Sequence, residues 1–311
     1  MEYVLGIDSG GTSFKIKATA LDGTALGEYI GPTCSHYQLT VPYAEMQISQ
    51  NINTCLALFG GKRNDCRFIV AGSTGHDCDE DDIIISDLYH GLSGFSCPII
   101  TMSDVELAHY TVIGGKGILL IVGTGSIVFG CNQKGEKARV GGWARSLMGD
   151  EGSGRYIDAW ALHHVSRWFD GCRNDSILAP MIANHLGLRT RKDLMELSIE
   201  MSTPPWVSPG LGNLVNEAAQ KQDRYAISII RNAVIWNCKM IIDVIKLLNM
   251  GNDAQIDVGV WGSAIVKGKI HCSMLQEALA EYQPNVRFVM PSISATDGAV
   301  RYALKGLDDM H

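Results

Sequence analysis

Apolar side chains along this chain follow two rhythms. Short runs rich in branched residues, at 4–7, 68–71, 99–101, 118–122, 256–261 and 287–290, are bounded by Gly, Pro or Asp, and runs of that length and make-up read as buried strands. Between them apolar residues recur at helical spacing over 41–58, 79–88, 153–168, 176–186, 192–201, 211–220, 271–282 and 295–304, which predicts amphipathic helices. The longest helix falls on 223–249, where Ile227, Ile230, Val234, Trp236, Ile241, Ile245 and Leu248 share a face, Asp223 is the N-cap and Gly251 lies past the end. Residues 203–212, with prolines and glycines around Trp206, read as a loop. Strands alternating with helices define an α/β class.

One pattern occurs twice. Gly11-Thr12 follows the strand at 4–7 and is itself followed by Phe14, Ile16 and Ala18, a turn at Asp22-Gly23 and a short strand over 25–30. Gly123-Thr124, 112 positions later, follows the strand at 118–122 and precedes Ile127, Phe129 and Cys131, a turn at Lys134-Gly135 and a strand near 138–140. A strand, glycine turn, strand, polar turn, strand unit therefore opens each part of the chain. The expected organisation is a first domain over 1–114, a second over 115–294 and a C-terminal helix over 295–311 able to pack back on the first.

Composition narrows the function classes. A chain of 311 residues, 46% hydrophobic, has the length of about two domains and material for cores that need no disulfide staples. Its net charge of −7 argues against a nucleic-acid partner, whose phosphates demand clustered Lys and Arg; the basic cluster at 189–192 reads as a solvated face. No stretch nears the ~20 apolar residues of a membrane helix, and the first residues lack the basic and apolar regions of a secretion signal. No membrane partner and a cytoplasmic location are expected. The nine cysteines stand singly, without a CxxC, as reduced thiols would in a reducing compartment.

Gly10 and Gly11 separate two strands, so backbone N–H groups there can approach an anion, and Thr12 adds a hydroxyl. Asp8 ends the buried strand, where a carboxylate needs a cationic neighbour; hydrated Mg²⁺ suits it. Residues 122–126 repeat this chemistry, and two such clamps suit a triphosphate. Neither turn is a Walker A loop or a dinucleotide fingerprint. Asp104 follows the strand at 99–101, where it serves either as a helix N-cap or as the base that takes a proton from a hydroxyl nucleophile. Residues 141–154 gather glycines, Trp143, Asp150 and Glu151 before a helix; a carboxylate beside an aromatic suits a polyhydroxylated ring. Residues 258–264 form a strand entering a small-residue turn. His163 and His164 lack a second ligand at i+4, against a zinc site.

GIDSGGT at 6–12, Asp104, GTGS at 123–126, GGW at 141–143, GDEGSG at 149–154 and GS at 262–263 occur in order over nearly the whole chain. Together they resemble the BadF/BadG/BcrA/BcrD ATPase family, in its N-acetylglucosamine kinase branch of the actin, Hsp70 and sugar-kinase superfamily. The resemblance implies two RNase-H-like α/β domains with an interdomain cleft and an ATP-dependent kinase acting on the 6-hydroxyl of an amino sugar. N-acetylglucosamine is the first candidate and N-acetylmuramic acid the second, with a glucosamine kinase or a partner-driving ATPase as alternatives. It implies ATP on Gly10, Gly11, Thr12, Gly123, Thr124, Gly125, Gly262 and Ser263, Mg²⁺ near Asp8 through water, and Asp104 as base. Sugar contacts would come from Ser35, His36, Asp104, Ser126, Gly142, Trp143, Ala144 and Asp150, and the assembly would be a homodimer. Two places depart from the pattern. Ser13 stands where relatives often have Lys or Arg, and Cys34-Ser35-His36 where they commonly carry Asn.

Overall fold

The structure is a computed structural model of the chain and describes residues 1–76, 78–143, 149–201 and 208–310. They form two compact units: Met1–Gly115 with Pro291–His311, and Lys116–Met290.

In the first unit, β1 (Tyr3–Ser9), β2 (Ser13–Ala20) and β3 (Ala25–Pro32) form an antiparallel meander, followed by α1 (Val41–Ala57), β4 (Cys66–Ser73), α2 (Asp79–His90), β5 (Ile99–Ser103) and α3 (Asp104–Ile113). The sheet order is β3-β2-β1-β4-β5, with β4 parallel to both β1 and β5. Tyr3, Leu5, Ile7, Phe14, Ile16 and Ile69 meet Ile48, Ile52 and Ile85 of the helices in one core, each contributing about 1.5–3 kcal/mol by leaving water. α11 (Ala295–Asp308) completes this unit on the other face. It lies so close that a Cβ on Gly6 of β1 would stand 2.5 Å from the Thr296 carbonyl.

In the second unit, β6 (Gly117–Val122), β7 (Ser126–Cys131) and β8 (Lys137–Gly141) repeat the meander. Then come α4 (Gly154–Phe169), α5 (Leu178–His185), α6 (Arg191–Met201), α7 (Gly212–Gln220) and α8 (Arg224–Leu247). β9 (Ile256–Trp261), α9 (Ser263–Val266), α10 (Lys269–Tyr282) and β10 (Val286–Val289) follow. The order β10-β9-β6-β7-β8 matches the first sheet, with β6, β9 and β10 parallel. Asp223 caps α8, accepting from Tyr225 N–H and Ala226 N–H at 2.9 Å, and binds the start of α5 through Ile177 N–H at 2.8 Å. α8 then lays Ile230, Ala233, Ile241 and Val244 into the core.

The alternation of buried runs and helical stretches matches these elements to within a few residues. α3 lies outside the helices that periodicity picks out, and the expected loop at 203–212 is described only from 208 onward.

Candidate functional site

Register assembles the first unit's candidates. Ser9 pairs with Ser73, and Ser73 with Ser103, so β1, β4 and β5 end at one level. The turn after β1 and Asp104 after β5 therefore emerge from the same edge of the sheet. Gly10 N–H closes the turn on the Ser13 carbonyl at 2.9 Å. Thr33 Oγ1 donates to the Gly10 carbonyl at 2.9 Å and Gln38 Nε2 to the Gly11 carbonyl at 2.6 Å. Both carbonyls are thus held by the segment after β3, while the N–H groups of Gly11 and Thr12 have no acceptor among the described residues. Neither glycine has a positive φ, and a Cβ would meet its nearest neighbour at 3.5 Å on Gly10 and 3.7 Å on Gly11. The fold alone would accept alanine there, which commonly adds about 0.4–1 kcal/mol of stability by restricting the unfolded chain. A hairpin whose glycines serve only a left-handed turn is therefore not what this segment is.

Asp8 faces Lys15 across the β1–β2 ladder, and Lys15 Nζ donates to its Oδ2 at 2.9 Å. The cationic neighbour that a strand-end carboxylate needs is supplied by the chain. Oδ1 takes no hydrogen bond among the described residues, which leaves one carboxylate oxygen for a hydrated divalent cation. No group of three or more His, Cys, Asp or Glu side chains arranged for a metal occurs among the described residues.

Asp104 does not cap α3. Ser103 does: its Oγ accepts from Glu106 N–H at 3.0 Å, and the Glu106 carboxylate accepts from Ser103 N–H at 3.3 Å. This reciprocal capping box leaves Asp104 as the first helical residue, partly exposed and outside the cap. After β3, Ser35 is buried and accepts Gln38 N–H and Leu39 N–H on its carbonyl at 3.0 Å, while its hydroxyl has no partner among the described residues. His36 is committed within the unit: its Nε2 meets Asp81 Oδ1 at 3.0 Å, and Tyr37 OH donates to Asp81 Oδ2 at 2.6 Å. Burial raises the Asp81 carboxyl, but hydrogen bonds from Tyr37, Cys78 and His36 outweigh it and bring its pKa down to about 2.

In the second unit, Gly123 N–H closes its turn on the Gly125 carbonyl at 2.9 Å, and Thr124 and Gly125 offer N–H groups with no acceptor among the described residues. Gly123 also lacks a positive φ and has open space where a Cβ would stand. The glycine-rich segment after β8 braces this turn. Gly154 N–H donates to the Gly123 carbonyl at 2.9 Å, Arg155 N–H to the Thr124 carbonyl at 3.1 Å and Ser126 Oγ to the Glu151 carbonyl at 2.7 Å. Asp150, buried and in a left-handed conformation (φ 69°), accepts from Ser126 N–H at 3.2 Å and from Arg155 at 3.0 Å. Its carboxylate joins the loop to the turn, a role invisible to a reading that sees only an acid beside an aromatic.

Gly142 N–H donates to the Ser126 carbonyl at 2.9 Å, and Trp143 stands exposed with the Arg139 guanidinium 5.6 Å above its ring. Ala144 lies outside the described residues. Gly262 (φ 95°) precedes α9, and a Cβ there would stand 2.4 Å from the Val122 carbonyl. Close packing of β9 on β6 requires this glycine, and it brings exposed Ser263 beside the 123–125 turn. His164 is a structural residue: Arg173 donates to its Nδ1 at 3.0 Å, and Nε2 faces Ser176 Oγ at 2.7 Å. The braces Lys15, Thr33, Gln38 and Arg155 were missed in the sequence. Strand pairing would reveal only the first.

Two five-stranded sheets of equal order, each opening with a strand–glycine turn–strand unit, give the two-domain actin-like fold. The chain belongs to the BadF/BadG/BcrA/BcrD ATPase family, whose profile matches residues 5–303. It is 31% identical over 256 residues, 80% of this chain and 82% of the relative, to an N-acetylmuramic acid/N-acetylglucosamine kinase of Clostridium acetobutylicum. It is 26% identical over 313 residues, 97% of this chain and 98% of the relative, to an N-acetyl-D-glucosamine kinase of Dictyostelium discoideum. A crystal structure from Chromobacterium violaceum, provisionally assigned as an N-acetylglucosamine kinase, shares the fold with a TM-score of 0.73 at 21% identity, over 97% of this chain and 98% of that one. No helix among the described residues is long and apolar enough to cross a membrane.

Proposed function

We propose that this chain is an ATP-dependent kinase that phosphorylates the 6-hydroxyl of an amino sugar, N-acetylglucosamine first and N-acetylmuramic acid second. The observation that carries this reading is the pair of turns in which the fold does not require Gly10, Gly11 or Gly123 to be glycine and in which the consecutive N–H groups at Gly11-Thr12 and Thr124-Gly125 lack protein acceptors among the described residues. Such N–H groups donate to the oxygens of a polyphosphate. The named activities of the Clostridium and Dictyostelium relatives support the sugar class.

In the proposed mechanism these four N–H groups bind phosphate oxygens, with the Thr12 and Thr124 hydroxyls beside them. The turn at Gly262-Ser263 receives the adenosine. Asp8, with Lys15 fixing one carboxylate oxygen, would hold Mg²⁺ through water at the other, and the ion would supply charge neutralisation for the transferring phosphates. Asp104 accepts the proton of the sugar 6-hydroxyl as that oxygen attacks the γ-phosphorus, which leaves little other covalent chemistry for the protein. Ser35, His36, Ser126, Trp143 and Asp150 shape the sugar pocket, some of them by holding neighbours in place. The nine free cysteines support a reducing, cytoplasmic setting.

The test is coupled ADP release over glucose, glucosamine, N-acetylglucosamine, N-acetylmannosamine and N-acetylmuramic acid. The highest kcat/KM is expected on the N-acetylated glucosamine derivatives. ATP turnover that no sugar stimulates overturns the reading.

A further inference from the structure

Away from the residues assigned to phosphate and sugar, the first unit contains a cavity of ≈750 Å³ lined by Cys66, Arg67 and Cys97 from the sheet and by Leu304, Leu307 and Asp308 from α11. Two of the nine cysteines share this wall although they stand far apart in sequence. Topology explains it. Ile69 pairs with Ile99 in the parallel β4–β5 ladder, and Ile69 N–H donates to the Pro98 carbonyl at 3.0 Å, so pairing extends to the start of β5 and sets Cys97 beside Arg67 and Cys66. Neighbouring strands lie about 4.8 Å apart and rise about 3.3 Å per residue, so the diagonal Cys66–Cys97 pair falls within the about 4.4–6.8 Å between Cα atoms that a disulfide bridges. Cys66 belongs to the core, while Cys97 packs on that core and remains partly exposed to the cavity. Arg67, half-exposed and paired with Glu2, supplies a cation at the same wall.

The two thiols differ in character. The neighbouring Cys66 thiol lowers the pKa of Cys97, while Cys97 and burial raise that of Cys66, whose Sγ donates to the Phe68 carbonyl at 3.5 Å. Arg67 adds to the effect on Cys97. A partly exposed thiol of lowered pKa beside a second, buried thiol is the arrangement of a reactive cysteine with its resolving partner.

We infer that Cys97 and Cys66 form a thiol–disulfide exchange site that takes small-molecule disulfides of the glutathione class and closes into a Cys66–Cys97 disulfide. Cys97 thiolate attacks one sulfur of the small disulfide; a Cys97–S bond forms, the S–S bond breaks, and the departing thiolate takes a proton from water. That step also removes the Cys97 charge that raises the pKa of Cys66. Cys66 then loses its proton to water and attacks the Cys97 sulfur, expelling the second small thiolate. Two protein thiols are oxidised and one small disulfide is reduced to two thiols. Nothing in this chemistry depends on the kinase reading.

The full chain is treated with glutathione disulfide, its remaining thiols are alkylated, and its peptides are mapped by mass. The expected product is a Cys66–Cys97 cross-linked peptide, with the exposed Cys78 and Cys172 modified at least about tenfold more slowly. Cys66→Ala should trap one glutathione on Cys97, and Cys97→Ser should yield neither product. Glutathione placed first on Cys78 or Cys172, or no cross-link in the wild type, overturns the inference. If Cys66→Ala does not fold, the wild-type alkylation profile at Cys97 decides. Half-maximal reactivity below the ordinary cysteine pKa of about 8.5 supports the site, and a value at or above it overturns it.

Discussion

The capping box at Ser103 and Glu106 removes the main competing explanation of Asp104. A helix already capped by its preceding serine does not need a second acid at its first position, so the main effect of Asp104→Asn should lie in catalysis. General bases of this kind contribute about 10²–10⁴-fold. Asp104→Asn is therefore expected to lower kcat by that order, with ATP affinity and Tm near wild type. Initial rates at saturating substrate, nucleotide titration and melting of the same preparation check this. A variant with wild-type kcat, or one that simply unfolds, would remove Asp104 from the chemistry. Asp150 calls for a different expectation, because its carboxylate holds Ser126 N–H and Arg155 while its backbone sits at φ 69°. Asp150→Ala loses both contacts and strains the left-handed residue, so Tm should fall by several degrees along with activity. Asp150→Asn keeps an acceptor and tolerates that backbone, and should recover much of the Tm; equal losses for the two variants would count against the brace.

At the scale of the elements, the turn glycines divide into two kinds that one substitution separates. Alanine meets only an ordinary 3.7 Å contact at Gly11 and open space at Gly123, with no positive φ at either, so the protein should fold with Tm unchanged or slightly raised. The methyl group would nevertheless crowd a bound phosphate, and the KM for ATP should rise at least about tenfold if one phosphate contact worth about 1.5–3 kcal/mol is lost. Alanine at Gly262 meets the Val122 carbonyl at 2.4 Å and a φ of 95°, so its first effect should be loss of stability. Paired melting curves and ATP titrations distinguish the two; an unchanged KM in Gly11→Ala and Gly123→Ala would argue against the phosphate role. These contrasts also mark what the sequence could convey. The strands and the long helix were legible because burial imposes period 2 or 3.6 on the apolar residues. α3 does not stand out from its periodicity although Ser103 and Glu106 carry the S-x-x-E spacing of a capping box, because the adjacent Asp104 also suits the cap position. The braces were not legible: Asp150 reaches Ser126 across 24 residues, and Cys66 meets Cys97 only because β4 and β5 are parallel neighbours.

For the whole molecule, buried titratable groups predict that acid weakens the two units over different ranges. In the second unit burial brings the pKa of His271 down to about 4, and burial and the Arg173 charge do the same for His164. His271 Nε2 faces Asn237 Oδ1 at 2.7 Å while its Nδ1 is buried without an acceptor, so a second proton there would add an unpaired donor. Both folded values lie below the ~6.5 of an unfolded histidine, so the unfolded chain takes up protons first as pH falls. The stabilisation of the neutral forms is complete above about pH 6.5 and is lost progressively toward pH 4, by at most roughly 3 kcal/mol per histidine. Asp81 in the first unit, held at about 2 against an ordinary value near 3.8, keeps its contribution until the pH falls below about 4. Melting followed between pH 7 and pH 4 should therefore show a transition of the second unit moving to lower temperature well before that of the first, and His271→Gln should flatten part of that slope. A Tm for both units that holds constant from pH 7 to pH 4.5 would mean that neither histidine is excluded from protonation as its surroundings require.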